Sequence, residues 1–249
     1  MKITFPGDKK RGILRERIAR VIRESILQGA LRPGEQLVEA ALAKGMNVSR
    51  APLREAFQFL ERQGFVRVVP REGTYVVSLT PSDIAEIYVL RDALEPIAAC
   101  SACRNLGPEN EQALEGILSA MRKSADRSDH RQYYENDLHF HQEVWRLSGN
   151  RRLDNVLNAI CTPLFTFRIV NSHPRRERLI QSLGAHEAIF KAFHERDGAQ
   201  LKGAVKSAIQ GGAELSPEEI WNDGRLPVRR RSSVKKDDGS RTSHLKRSR

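Results

Sequence analysis

Val48-Ser49-Arg50-Ala51-Pro52-Leu53-Arg54-Glu55-Ala56-Phe57-Gln58-Phe59-Leu60 reads as one short helix with two unlike faces. Ser49 stands at the N-cap position, and Pro52 follows in the first turn, where its missing N–H costs least. Ala56, Phe57, Leu60 and Leu53 form the apolar face, and Gly64 closes the helix. Arg50 and Arg54 lie four apart and share the opposite, exposed face at the leading end. Their forked guanidinium groups are suited to guanine edges or phosphate oxygens. Glu55, beside Arg54, is expected to orient an arginine or cap helix amides.

The flanks fit around this helix. Leu14, Ile18, Val21, Ile22 and Ile26 predict an amphipathic helix stopped by Gly29, with a turn at Arg32-Pro33-Gly34. Val38, Ala41 and Leu42 predict a second short helix ended by Gly45. Beyond Gly64, the β-rich runs Phe65–Val69 and Thr74–Val77 flank Pro70-Arg71-Glu72-Gly73, a hairpin whose Gly73 is suited to positive φ. Three helices and a hairpin outline a winged helix-turn-helix, in which the third helix enters the major groove. Arg71, beside the hairpin tip, is placed for a phosphate or the neighbouring minor groove.

Leu31-Arg32-Pro33-Gly34-Glu35-Gln36-Leu37, Leu42-Ala43, Val48 through Phe57, Leu60 and Gly64-Phe65-Val66 together resemble the DNA-binding domain of GntR-family bacterial transcription regulators. The resemblance implies operator contacts by Arg50 and Arg54 and a wing glycine, Gly73, close to DNA. Arg32, Arg71 and Ser49 are further DNA-binding candidates.

Charge follows the same division. Residues 9–78 carry 14 basic and 7 acidic side chains, residues 79–224 carry 17 and 21, and residues 225–249 carry 10 and 2. Basic ends around a mildly acidic middle suggest a polyanionic partner for the ends. The 39% of hydrophobic residues is enough for a core. No apolar run is long enough for a membrane span, no secretory h-region opens the chain, and 3 cysteines do not make a disulfide framework; a cytoplasmic protein is expected. The stretch 225–249 has almost no apolar residues and reads as a disordered basic tail, with Arg229-Arg230-Arg231 and Lys235-Lys236 suited to nonspecific phosphate contacts.

From Thr80-Pro81-Ser82-Asp83 the periodicity is helical throughout. Six helices are expected between 80 and 222, starting near Thr80, Pro108, His130, Arg152, Pro174 and Gly198, with Pro96 kinking the first and Pro163 interrupting the fourth. The fold class is therefore mainly α: a winged helix-turn-helix at 9–78 followed by an antiparallel all-helical bundle. Leu90-Arg91-Asp92-Ala93-Leu94-Glu95, Asp137-x-x-x-His141, Leu147-Ser148-Gly149-Asn150 and His186-Glu187-x-Ile189 resemble the FCD domain of the FadR subfamily. That resemblance implies a domain that dimerises and holds a small effector, commonly a carboxylic acid.

Asp137 and His141, at i and i+4, project from one helix face and can share a divalent metal, with His186 as a third ligand. His139 falls roughly opposite them, and His194 lies too far along its helix to substitute. The resemblance implies one Asp and three His holding zinc, nickel or manganese, but the last histidine's position is Ala208 here. Metal coordination and a hydrogen-bonded pocket without metal both remain open. Arg91 and Arg168 are the candidates to clamp an effector carboxylate; an internal salt bridge with Glu95 or Asp137 is the alternative. Arg175-Arg176-Glu177-Arg178 reads as a solvated helix start, and Cys100 and Cys103 as small helix-face thiols.

No phosphate loop or nucleophile motif is present. The expected function is a homodimeric regulator, with repression of an operator on double-stranded DNA relieved by its effector. The alternatives are a metal-dependent enzyme built on Asp137, His141 and His186, without an identifiable general base, and a nonspecific nucleic-acid-binding protein driven by the basic ends.

Overall fold

The computed structural model describes residues 11–213. The tail at 225–249 and the end of the 80–222 unit lie outside the described residues. Helix α1 (Arg11–Leu27) leads through strand β1 (Gln36–Leu37) to α2 (Glu39–Met46) and α3 (Arg50–Arg62), then to strands β2 (Val66–Val69) and β3 (Gly73–Val76). Ile18, Ile22 and Ile26 of α1 interlock with Leu53, Phe57 and Leu60 of α3, over Phe65, Val66 and Val76 of the wing. Each such side chain contributes about 1.5–3 kcal/mol when fully buried, so the apolar periodicity sets the packing of this small domain.

Two details differ from the sequence reading. The wing has three strands, in the order β1-β3-β2, with Gln36 opposite Tyr75 and Leu37 opposite Thr74. A two-residue strand carries no periodicity to read. Helix α2 runs one residue past Gly45, to Met46, and is capped by Asn47, which takes the left-handed conformation (φ 54°, ψ 46°) while its N–H bonds the Ala43 and Lys44 carbonyls.

The bundle contains α4 (Pro81–Asn105), α5 (Pro108–Asp126), α6 (His130–Leu147), α7 (Arg151–Asn171), α8 (Arg176–His194) and α9 (Gly198–Ala213). Thr80 and Asp83 form a capping box at the start of α4, and the Asn150 side chain accepts from Arg152 and Leu153 N–H at the start of α7. Helix α4 packs on α6, α7 and α9, while α8 lies between α5 and α9. Neither proline ends its helix: α4 runs through Pro96 and α7 through Pro163, correcting the expected interruption. Each forfeits one backbone bond, and the packing of α4 and α7 on their neighbours holds the remainder.

Candidate functional site

Two clusters of candidate side chains stand apart: an exposed arginine face on α3 and a polar pocket inside the bundle. On the first, Arg50 opens α3 and is exposed. Ser49 has extended N-cap geometry (φ −76°, ψ 165°), but its side chain makes no cap hydrogen bond. The first-turn amides of α3 therefore keep the polarity that attracts anions. Arg54 is exposed too, and its Nε donates to both carboxylate oxygens of Glu39 on α2, at 2.9 and 3.2 Å. Glu39, not Glu55, orients this arginine. The two are fifteen residues apart, and only the packing of α2 on α3 brings them together.

The wing tip is a tight turn in which Glu72 N–H donates to Val69 C=O at 3.1 Å. Arg71 sits there at φ +66° and Gly73 at φ +130°. Arg71 is exposed, as is Arg32, whose backbone N–H donates to Glu35 Oε2 at 2.9 Å. A Cβ on Gly73 would come within 2.8 Å of Gln36 Nε2, which itself donates to Glu72 C=O.

Inside the bundle, α6 delivers Asp137 and His141, and α8 delivers His186; all three are buried. One ligand atom of each lies within 4.8 Å of the others. His186 Nδ1 donates to the Ser182 carbonyl at 2.8 Å, which leaves Nε2 as a lone pair aimed at Asp137 Oδ1, 2.9 Å away. Neither of these two atoms has a conventional hydrogen bond. Two acceptors so close require a proton or a cation between them. His141 is set similarly but not identically: Nδ1 donates to Glu95 Oε2 at 2.9 Å, while Nε2 faces Asp137 Oδ1 at 3.4 Å and also Arg91 Nη2 at 3.5 Å. A carboxylate or carbonyl behind each imidazole is the outer support that metal-binding histidines use. The donor set of one carboxylate and two imidazoles thus fits a borderline divalent ion such as zinc.

The charges around the trio hold one another. Burial alone would lower the Arg91 pKa, but the Glu95 charge raises it, and the two groups pair at 2.5 Å. Burial alone would raise Glu95; Arg91 and His141 instead pull it down to about 2. Burial opposes the charged form of Asp137 as well, and His186 and His141 hold its carboxyl well below the usual range. Arg91 is therefore committed to an internal salt bridge and leans on the Phe165 ring at 4.9 Å. Arg168 is different. It is buried, its guanidinium lies over the Tyr134 ring at 4.7 Å, and its Nε has no acceptor. Among the described residues no carboxylate forms an ion pair with it.

Arg91, Asp137, His141, Arg168 and His186 line one pocket of about 110 Å³, closed by Phe165, Ser182, Ala208 and the α9 glycines Gly211 and Gly212. Sequence reasoning missed Arg178, which lines the same pocket half-buried and donates to Gln181 Oε1 at 2.9 Å. Its signal was the stripe Arg178-Ser182-His186 at four-residue spacing. His139 is exposed, as expected. His194 meets Glu111 at 2.5 Å on the surface. Cys103 and Cys161 are buried free thiols, and Cys100 is half-buried and free.

Comparison with known proteins agrees with both halves. Residues 14–76 match the bacterial regulatory proteins of the gntR family, and residues 86–211 match the FCD domain. YdhC of Bacillus subtilis (strain 168), an uncharacterised HTH-type transcriptional regulator, is 30% identical over 182 residues, 73% of this chain and 81% of that protein. The HTH-type transcriptional repressor RspR of Escherichia coli (strain K12) is 26% identical over 196 residues, 78% of this chain and 85% of RspR. The solved structure of E. coli McbR/YncC shares the fold with a TM-score of 0.64 at 20% identity, over 80% of this chain and 94% of that one. A winged helix-turn-helix joined to a helical sensor bundle defines a one-chain transcriptional regulator. The chain belongs to the GntR family, in its FCD-domain, FadR-type group. It is a DNA-binding regulator, and this family's members are not enzymes.

Proposed function

We propose that this regulator is a homodimeric repressor whose hold on a pseudo-palindromic operator is set by a small carboxylate in the bundle pocket. The unit at 9–78 reads DNA and the unit from 80 onward senses. The observation that carries the reading is Arg168, a buried cation without a carboxylate, placed beside the Asp137, His141 and His186 cluster. An arginine fork is the natural partner of a carboxylate, and an effector supplying that anion would relieve its isolation. Asp137, His141 and His186 would hold a divalent ion. Bound there, it would supply a Lewis-acidic contact for an effector oxygen, while Arg168 binds and orients the carboxylate.

Arg50 and Arg54 are assigned to the major groove, with Arg54 held in its exposed pose by Glu39. Ser49 and the first-turn amides take a phosphate, and Arg32, Arg71 and Gly73 follow the flanking backbone. Two half-sites need two copies, and α4 exposes Val89, Leu90 and Ile97, an apolar surface suited to pairing through the bundles. The likeness to RspR supports repression as the sign of control. No described helix is long and apolar enough to cross a membrane. As an operator-reading protein it works beside the chromosome, in the cytoplasm.

The test selects a duplex from a random pool and measures its affinity by anisotropy. Arg50→Ala and Arg54→Ala should each weaken it by about 1–3 kcal/mol. Native mass spectrometry with elemental analysis of the same preparation should report dimers, metal and a co-purified acid. Unchanged affinity in both variants would remove the groove assignment.

A further inference from the structure

Helix α7 belongs to both halves of the molecule. On its inner side Phe165 and Arg168 line the pocket, with the Phe165 ring tilted against His141 at 5.2 Å and under the Arg91 guanidinium. On the side of the winged domain the same turns meet the C-terminal end of α3. Gly64, at φ +71°, closes that helix against the α7 backbone: a Cβ there would lie 2.9 Å from Thr162 C and Pro163 N, and 3.0 Å from Pro163 Cα. The contact is backbone to backbone, so no side-chain rotation could relieve it. Thr166 Oγ1 donates to the Gln63 carbonyl at 2.9 Å, satisfying the last turn of α3 from the neighbouring domain. Val170, one turn further on, packs against the winged-domain core. The seat lies where α7 lacks one backbone bond, because Pro163 has no N–H to donate.

We infer that α7 is the element through which the pocket reaches the DNA-reading helix, with Thr162-Pro163 as its yielding joint and Gly64 and Thr166 as the seat for α3. The inference rests on the effector reading above, and it names the route of that regulation. A ligand that draws Arg168 and Phe165 toward the Asp137 cluster moves the turn carrying Pro163 and Thr166. Because α3 is fixed to that turn at Gln63 and Gly64, its leading arginines change their aim. One further polar tie joins the halves: Arg131 Nη2 of α6 donates to the Leu27 carbonyl at the end of α1, at 2.7 Å.

The experiment follows amide hydrogen exchange at Gln63, Gly64 and Phe65 in the full-length chain. The pocket is perturbed in two ways, by zinc alone and by Arg168→Met. In the wild-type background either perturbation should change exchange at these amides by about fivefold or more, the lower end of ordinary site-to-site coupling. Thr166→Val keeps the shape and removes the hydrogen bond; it should cut that response below about twofold while zinc affinity by calorimetry stays unchanged. Gly64→Ala should leave the amides fast-exchanging and unresponsive, and if that variant does not fold, Thr166→Val decides. Amides that ignore both perturbations in the wild type, or that respond equally in Thr166→Val, would overturn the inference. Absence of zinc binding would count against the metal part of the effector reading alone, and the Arg168→Met arm then decides the coupling.

Discussion

Arg71 holds a left-handed backbone at the wing tip, φ +66°, where an L side chain is strained and glycine is not. Arg71→Gly should therefore stabilise the fold by about 1 kcal/mol in urea titrations while weakening duplex binding, a trade expected where strain serves contact. Glu39→Ala frees the Arg54 fork; at an exposed pair its effect on stability should be under about 1 kcal/mol, with a measurable loss of operator discrimination. The buried pair behaves otherwise. Glu95 titrates at about 2 in the fold against an ordinary 4.5, so the stability it contributes is complete above pH 4.5 and drains away as pH falls toward 2. Glu95→Gln should flatten the acid limb of unfolding in that window. It should also cost about 3–5 kcal/mol at neutral pH, because Arg91 is left buried without its anion. Asp137 and His141 were legible as a pair because four residues make one helical face, and Arg50 and Arg54 for the same reason. Glu39 was not legible, because its relation to Arg54 exists only after two helices cross.

At the scale of elements, the helices were readable from their ends. Thr80 with Asp83, and Asn150 with the first amides of α7, are caps whose chemistry is written in the residue type. Asn150→Ala should cost about 1 kcal/mol, visible as a lower urea midpoint with unchanged slope. Strand β1 could not be read, since two residues have no period. Pro163 misled, because its local preference against helix is outweighed by packing that the sequence does not display. The same packing explains Cys161, whose thiol burial, reinforced by the Glu95 charge, pushes up to about 12. In the folded chain at neutral pH, iodoacetamide should label the half-buried Cys100 and spare Cys161, as peptide mass mapping would show. Labelling of Cys161 at an equal rate would mean that this face of α7 opens freely.

For the whole molecule, charge asymmetry was visible from composition, but its use was not. Cutting the chain at Arg225 removes a surplus of basic residues and should lower the salt dependence of duplex binding while leaving sequence preference in place. A loss of preference on truncation would favour nonspecific binding by the basic ends. The FCD bundle was legible as six helical stretches; which arginine is free and which is spent was not, because that depends on Glu95 lying beside Arg91 and on Arg168 lying over Tyr134. That last arrangement has a practical consequence. A fold whose buried Arg168 lacks an ion-paired carboxylate gains stability from an anion that binds it, by an amount that grows with the logarithm of concentration over dissociation constant. Melting the protein against a panel of small organic acids would therefore make its own heat resistance the assay of the proposed carboxylate effector, and a midpoint that no acid raises would count against it.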